Sequence, residues 1–240
     1  MSSFSTPTLA LRLLGREWRS GELRVLVLAL LIAVTISTAI SFFTNRIERS
    51  MTSRAAEFLG ADMVISSRSP LPELYASEAA QQGLQTSAQL GFSSVMATDA
   101  QMQLSSVKAV TDGYPQRGEL RIADQPFGEE RSTQSIPAPG EVWIEPRLLN
   151  QLELQVGDTL DVGYTSLRIG ALVTHEPDRA GDFYSLSPSV LMNLSDLPAT
   201  RIVQPGSRVT YKLLISGSEQ ALSAYRDWLE PVLDVNQKLT

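Results

Sequence analysis

VLVLALLIAVTISTAISFFTN, running from Val25 to Asn45, decides how this chain is built. It holds no charge, no proline and no glycine, with Arg24 before it and Arg46 after it. At about 1.5 Å per residue the run is about 30 Å long, the thickness of a bilayer's hydrocarbon core. A helix of a soluble domain is rarely apolar on every face for so long. The stretch reads as a membrane-spanning helix.

The flanks bear on orientation. Arg12, Arg16, Arg19 and Arg24 precede the span, and Arg46, Arg49 and Arg54 follow it. The bias is four against three, and the second flank leads into a large acidic segment. Both features favour a cytoplasmic N-terminus and a translocated main domain. The competing reading is a cleaved signal with small residues at Ser37-Thr38-Ala39. It is opposed by the long leading segment and by Ile40, Phe42 and Phe43, which continue the apolar run. In residues 8–19, TLALRLLGREWR, Leu11, Leu14 and Trp18 fall on one helical stripe and the arginines on another. Residues 1–24 thus read either as a cytoplasmic amphipathic segment at the membrane surface, with Trp18 as an interfacial anchor, or equally as an ordinary flank before the membrane span.

The helical pattern outlasts the membrane. Ile40, Phe43, Ile47, Met51, Ala55 and Phe58 recur every three or four residues, with no breaker before Gly60. This predicts a helical stalk.

The remainder is acidic: residues 61–240 hold 13 basic and 22 acidic side chains, a net of −9. That balance opposes a nucleic-acid surface, which needs clustered Lys and Arg. The spacing predicts a strand over 61–67, a helix from Pro70 to Gly83, and strands over 84–100 and 101–111. Phase slips near Ser93-Ser94 and Ser106-Val107 suggest bulges. Residues 116–140, with Pro126, Gly128, Pro137 and Pro139, read as an irregular exposed excursion. A short strand at 141–145, a helix at 146–152 and a hairpin over 159–174 follow. Phe183–Leu186 reads as a strand and Pro188–Asn193 as a short helix. Strand 208–216 shows Val209, Tyr211, Leu213 and Ile215 on one face. Helix 219–233 carries Leu222, Tyr225, Leu229 and Val232 as its stripe. The order predicts an α+β fold with a β-rich unit inserted from about Gly113 to Pro205.

No residue is assigned a catalytic, cofactor-binding or metal-ligating role. There is one histidine, His175, and no cysteine, which disfavours zinc. No G-x-S-x-G elbow and no G-x-x-x-x-G-K-[ST] loop occurs, so neither that hydrolase pattern nor a P-loop nucleotide site is present. Gly157 and Gly163 have the glycine spacing without the lysine and read as hairpin turns. Trp143 and Trp228 read as core or interface aromatics. His175-Glu176-Pro177-Asp178-Arg179 is the most polar short run of the insert. The favoured reading is a solvated loop with a weak local Asp178–Arg179 or Glu176–Arg179 pair; the other is a partner-binding cluster.

The segments AEFLGADMVISS (56–67), GEVWIEPRLLNQLELQVGDTLDVG (140–163), THEPDRAGDFYSLSPSVLMNLSDLPAT (174–200) and VQPGSRVTYKLL (203–214) resemble FtsX-like ABC transporter permeases of the MacB/LolCE type. These are the mechanotransmission systems, and the likeness is strongest to their YbbP branch. The resemblance implies a bacterial inner-membrane protein. It implies a Porter-like part over 46–112 and 206–240, and an inserted Sabre-like part over 113–205. It implies a non-catalytic subunit without cofactor, energised by a separate cytoplasmic ATPase of the YbbA type. That subunit would act on lipid-like or hydrophobic envelope cargo. Such permeases carry further membrane helices, so the chain reads as an N-terminal portion. The alternatives are a single-pass periplasmic adaptor or sensor, and a secreted enzyme.

Overall fold

The computed structural model describes residues 22–98, 101–179, 187–204 and 206–240. The amphipathic segment around Trp18 and the strand expected at Phe183–Leu186 lie outside them. The chain divides into two compact units between Ser53 and Arg54.

In the first unit the element is helix α1, which spans Glu22–Leu59 in all. Its section Arg24–Thr44 has a mean hydropathy of 2.6 and no buried residue. That section is long and apolar enough to cross a membrane. Thr35 Oγ1 donates to the Leu31 carbonyl at 2.7 Å. The hydroxyl is thereby satisfied within its own helix, as an apolar surrounding requires.

The second unit begins with the last turns of α1. Gly60 takes the left-handed conformation, φ +70°. Gly60 N–H donates to the Glu57 carbonyl and Ala61 N–H to that of Ala56, each at 3.1 Å. This is the paired-bond ending that a glycine just past a helix permits.

Among the described residues one mixed sheet of eleven strands follows. Its strands are β1 (Met63–Ser67), β2 (Gln85–Ala97), β3 (Met102–Val110), β4 (Leu120–Ala123), β5 (Arg131–Thr133) and β6 (Glu141–Ile144). After them come β7 (Thr159–Val162), β8 (Thr165–His175), β9 (Ser189–Asn193), β10 (Thr210–Ser216) and β11 (Gln237–Leu239). The spatial order is β11-β1-β10-β2-β3-β9-β6-β8-β4-β5, with β7 against β2 and β8. β3 with β9 and β6 with β8 are parallel; the other pairs are antiparallel. Helices α2 (Glu73–Gln81) and α5 (Glu219–Leu229) cover β1 and β10 through Tyr75, Ala79, Tyr225 and Leu229. Short helices α3 (Pro146–Gln151) and α4 (Leu197–Thr200) complete the set, and α3 places Leu148 and Leu149 in the core shared by β2, β6, β8 and β9. A further cluster, including Val64, Tyr114, Leu120, Trp143 and Leu214, packs with Leu59 at the end of α1.

The α+β class, the hairpin β7–β8 and the buried Trp143 agree with the sequence reading. Several details do not. Pro188–Asn193 is not a helix: Ser189–Asn193 is a strand between β3 and β6, with Val190, Leu191 and Met192 fully buried. A short all-apolar run suits a strand covered on both faces as well as a buried helix. The bulges expected near Ser93-Ser94 and Ser106-Val107 are absent, because the β2–β3 register runs unbroken from Gln89↔Val110 to Ala97↔Met102. The slipped pattern reflects apolar Val95 and Leu104 on an exposed face. Register shifts occur instead at Arg121/Ile122 and Val142/Trp143. The excursion 116–140 is not wholly irregular; β4 buries Leu120, Ile122 and Ala123. α5 stops at Leu229, where Pro231 permits only a 3-10 turn, Glu230–Val232. Polar β11 pairs with β1 and was not foreseen.

Candidate functional site, a buried charge network

Lys108 lies on β3, and Tyr114 follows in the turn after it. Glu176 follows the end of β8, and Asp178 lies in the 3-10 turn Pro177–Arg179 next to it. Sequence separation is large, yet the sheet order brings these groups together. The Lys108 ammonium donates to Glu176 Oε2 at 2.7 Å, to Asp178 Oδ1 at 2.7 Å and to Tyr114 Oη at 3.0 Å. A lysine has three protons to give, and all three are placed. Tyr114 Oη donates to Asp178 Oδ1 at 2.6 Å, and Ser189 Oγ to Glu176 Oε1 at 2.6 Å. The side chains of Lys108, Glu176 and Asp178 are 15%, 1% and 3% exposed.

Burial by itself disfavours the Lys108 charge. Glu176, Tyr114 and Asp178 outweigh it and hold the ammonium well above its usual pKa. Burial likewise opposes the Asp178 carboxylate, yet Lys108, the Tyr114 hydroxyl and Lys212 keep its pKa below the ordinary value. Tyr114 is pushed up, first by burial. Ion pairs of this kind are costly to desolvate and costlier to break, since loss of one partner strands the other's charge.

The solvated-loop reading of residues 175–179 is therefore overturned. Only His175 faces outward; Glu176 and Pro177 are buried. Arg179 pairs with neither Glu176 nor Asp178. Its Nη1 meets Glu145 Oε2 at 2.7 Å and its Nη2 donates to the Ser187 carbonyl at 3.1 Å. Glu145 also accepts from Arg147 Nε at 2.5 Å and from Ser189 N–H at 3.1 Å. Burial raises the Glu145 pKa, but these donors overcome it and leave it lowered.

The network adjoins the end of α1. A Cβ on Gly60 would sit 3.4 Å from Asp178 Cβ, and one on Gly118, φ +85°, only 2.5 Å from Pro177 Cβ and 3.3 Å from Glu57 Cγ. Arg117 clamps Asp62 with Nε and Nη2 at 2.8 and 2.6 Å. Its own N–H donates to the Gly60 carbonyl at 2.9 Å. The same Asp62 accepts from Gly217 N–H at 3.1 Å. Four stretches thus meet at one junction: the helix end, the 113–118 turn, the 176–179 turn and the β10 end. Sequence reasoning found the Glu176–Arg179 run but not Lys108 or Tyr114, whose lone polar side chains carry no local signal. The chemistry here is fixation of charge. Among the described residues no group of three His, Asp or Glu is placed to hold a metal.

No family model matches the chain. The chain is 37% identical over 223 residues, 93% of its own length, to the ABC transporter permease YbbP of Escherichia coli (strain K12). It spans 27% of that relative's length. Over this segment it is related to an ABC transporter permease, as its residues led us to expect. Among solved structures it is similar to the periplasmic region of MacB from Actinobacillus actinomycetemcomitans, with a TM-score of 0.47, 11% identity, and coverage of 77% of this chain and 91% of that one. It is also similar to the extracellular domain of the noncanonic ABC-type transporter YknZ from Gram-positive bacteria, with a TM-score of 0.44, 10% identity, and coverage of 74% and 99%.

Proposed function

We propose that the chain forms part of the permease subunit of an ABC-type mechanotransmission system in a bacterial inner membrane. The observation that carries the reading is the 37% identity to a permease across 93% of the chain. The apolar section Arg24–Thr44, which fits a membrane protein, supports it. In this reading the N-terminus is cytoplasmic and the main domain periplasmic. The Porter-like part comprises 46–112 and 206–240, and the Sabre-like part 113–205. A separate YbbA-like ATPase hydrolyses ATP in the cytoplasm, while the permease chain is non-catalytic. Motion passes along α1 to the outer domain, which acts on lipid-like or hydrophobic cargo. The charge network beside Gly60 fixes the helix end to β3 and β8, so that movement of the helix is not lost in a loose joint.

Two measurements test this. The permease carrying this chain, co-expressed with the ATPase subunit, is expected to co-purify with it in mild detergent. Failure with both subunits well expressed overturns the partnership. These 240 residues hold no cysteine, so single cysteines placed among them report orientation once any cysteines elsewhere in the permease are replaced. Val235→Cys, at a fully exposed site, is expected to react with an impermeant maleimide in spheroplasts, and Ser3→Cys only after lysis. The reverse pattern overturns the orientation. A second reading, an anchored periplasmic adaptor, draws on the single membrane-length helix among the described residues. It predicts no ATPase association.

A further inference from the structure

Along β2 and β3, side chains two residues apart share a face, and cross-strand partners stand side by side. One face of the pair is buried through Phe92 and Met96. On the other, three successive rows run toward the far ends of the strands: Ser93↔Ser106, Val95↔Leu104 and Ala97↔Met102. Val95, Leu104 and Met102 are exposed. Neither 93–98 nor 101–107 holds a charged side chain, although 19% of the chain is charged. Single exposed apolar residues are ordinary, but adjoining rows of them with no charge between mark a contact surface.

The charge lies at the rim and is mainly of one sign. Arg208 is exposed and lines a shallow hollow together with Ser93 and Ser106, one row from Val95. Farther along the same edge of β2, the register Met96↔Val162 brings Gly163 level with Val95. Tyr164 follows, exposed, with the Arg201 guanidinium 5.8 Å over its ring. Among the described residues neither arginine has a carboxylate partner. Asp161, opposite Ala97, is the acid at this edge and accepts from Ser166 Oγ at 2.5 Å. Two cations against one acid reverse the sign of a segment whose net charge is −9. Met, Tyr and Arg are the residue types that protein interfaces gather, while Lys, Glu and Asp are those they shed. Tyr and Arg also carry much of the binding energy where they occur.

The composition and shape choose among occupants. A bilayer would be entered by the end of the hairpin, and that end is polar. Thr98 N–H donates to the Gln101 carbonyl at 2.9 Å, and Gln101 N–H to Thr98 Oγ1 at 3.1 Å. The apolar groups lie along a face instead of at the point. A second copy offering this same face would set one cationic rim against another, which repels.

We propose that this face of β2 and β3 docks a separate protein through a segment that carries an apolar stripe flanked by Asp and Glu. The stripe seats on Val95, Leu104 and Met102, and its acids meet Arg208 and Arg201. The surface belongs to the second unit alone and stands whether or not the ATPase co-purifies.

The test is photo-cross-linking in growing cells, with benzoylphenylalanine placed at Leu104, Met102 or Val235 of the permease carrying this chain. A discrete protein adduct is expected from the first two sites and none from Val235, which is exposed elsewhere. Arg208→Glu is expected to lower the adduct yield about fivefold, the order of a reversed rim charge. The cross-linked segment, made as a peptide, is then titrated against the permease in phosphatidylcholine nanodiscs. Leu104→Asp is expected to weaken it about tenfold with the Tm unchanged, because Leu104 is exposed. Replacing the peptide's acids by Gln and Asn, or raising the salt, is expected to weaken it as well. Absence of an adduct overturns the proposal, as does a yield indifferent to Arg208→Glu. An adduct with lipid overturns it in favour of a bilayer contact, and one with a second copy in favour of self-association. Peptide binding that ignores Leu104→Asp or the loss of its acids overturns it too.

Discussion

Two stretches of the second unit invert the ordinary relation between polarity and burial. Residues 175–179 are charged, yet Glu176 and Asp178 lie inside the protein. The paired ends of β2 and β3 farthest from β10 carry apolar side chains, yet Val95, Met102 and Leu104 are 48%, 79% and 51% exposed. A side chain's position follows from what the sheet order sets beside it. Glu176 and Asp178 fall next to Lys108 because β9 bridges β3 and β6. Val95 and Leu104 project from the face of the hairpin opposite Phe92 and Met96, where each stays about half exposed.

Mutations should separate the two stretches sharply. The largest loss is expected from Lys108→Met, which strands two carboxylates and costs about 3–5 kcal/mol in denaturant unfolding. Adding Glu176→Gln and Asp178→Asn should recover much of that loss; if it does not, Lys108 acts mainly through packing. Next is Gly118→Ala. It puts a Cβ 2.5 Å from Pro177 at a left-handed φ and should cost about 1–3 kcal/mol, read as a fall in Tm.

Acid sharpens the contrast without mutation. The Asp178 pKa is lowered in the folded state, so its stabilisation is present above the unfolded value, about 3.9. It is lost as pH falls through the folded value. The Lys108 pKa is raised, so its stabilisation is present below about 10.4 and lost only as pH rises through the higher folded value. A pH series of unfolding free energies should therefore fall below about pH 4, and Asp178→Asn should flatten that limb. The smallest effect belongs to the hairpin tip. Val95→Thr and Leu104→Thr should each change stability by less than about 0.5 kcal/mol. A larger loss in either would show that the tip is covered.

Local chemistry made part of the fold legible. The span Val25–Asn45 and its continuation to Gly60 follow from length, apolarity and one terminal glycine, and α1 runs as those signals require. The β7–β8 hairpin follows from alternation about Gly163. β9 was misread because SVLMN is buried on both faces and carries no period. β11, three mostly polar residues, is a strand only because β1 offers an edge. The network was the least legible part. Its bonds join residues 68 and 70 positions apart, and nothing near Lys108 marks it as a partner of Glu176.

The parallel pairing of β3 with β9, five residues long from Ser106↔Ser189 to Val110↔Asn193, joins the strands of 113–205 to the rest of one sheet. Such a body has no sliding seam. A force applied at one edge must be taken up by twisting and bending of the whole ribbon, so the second unit would store displacement elastically, as a leaf spring does, instead of swinging about a pivot.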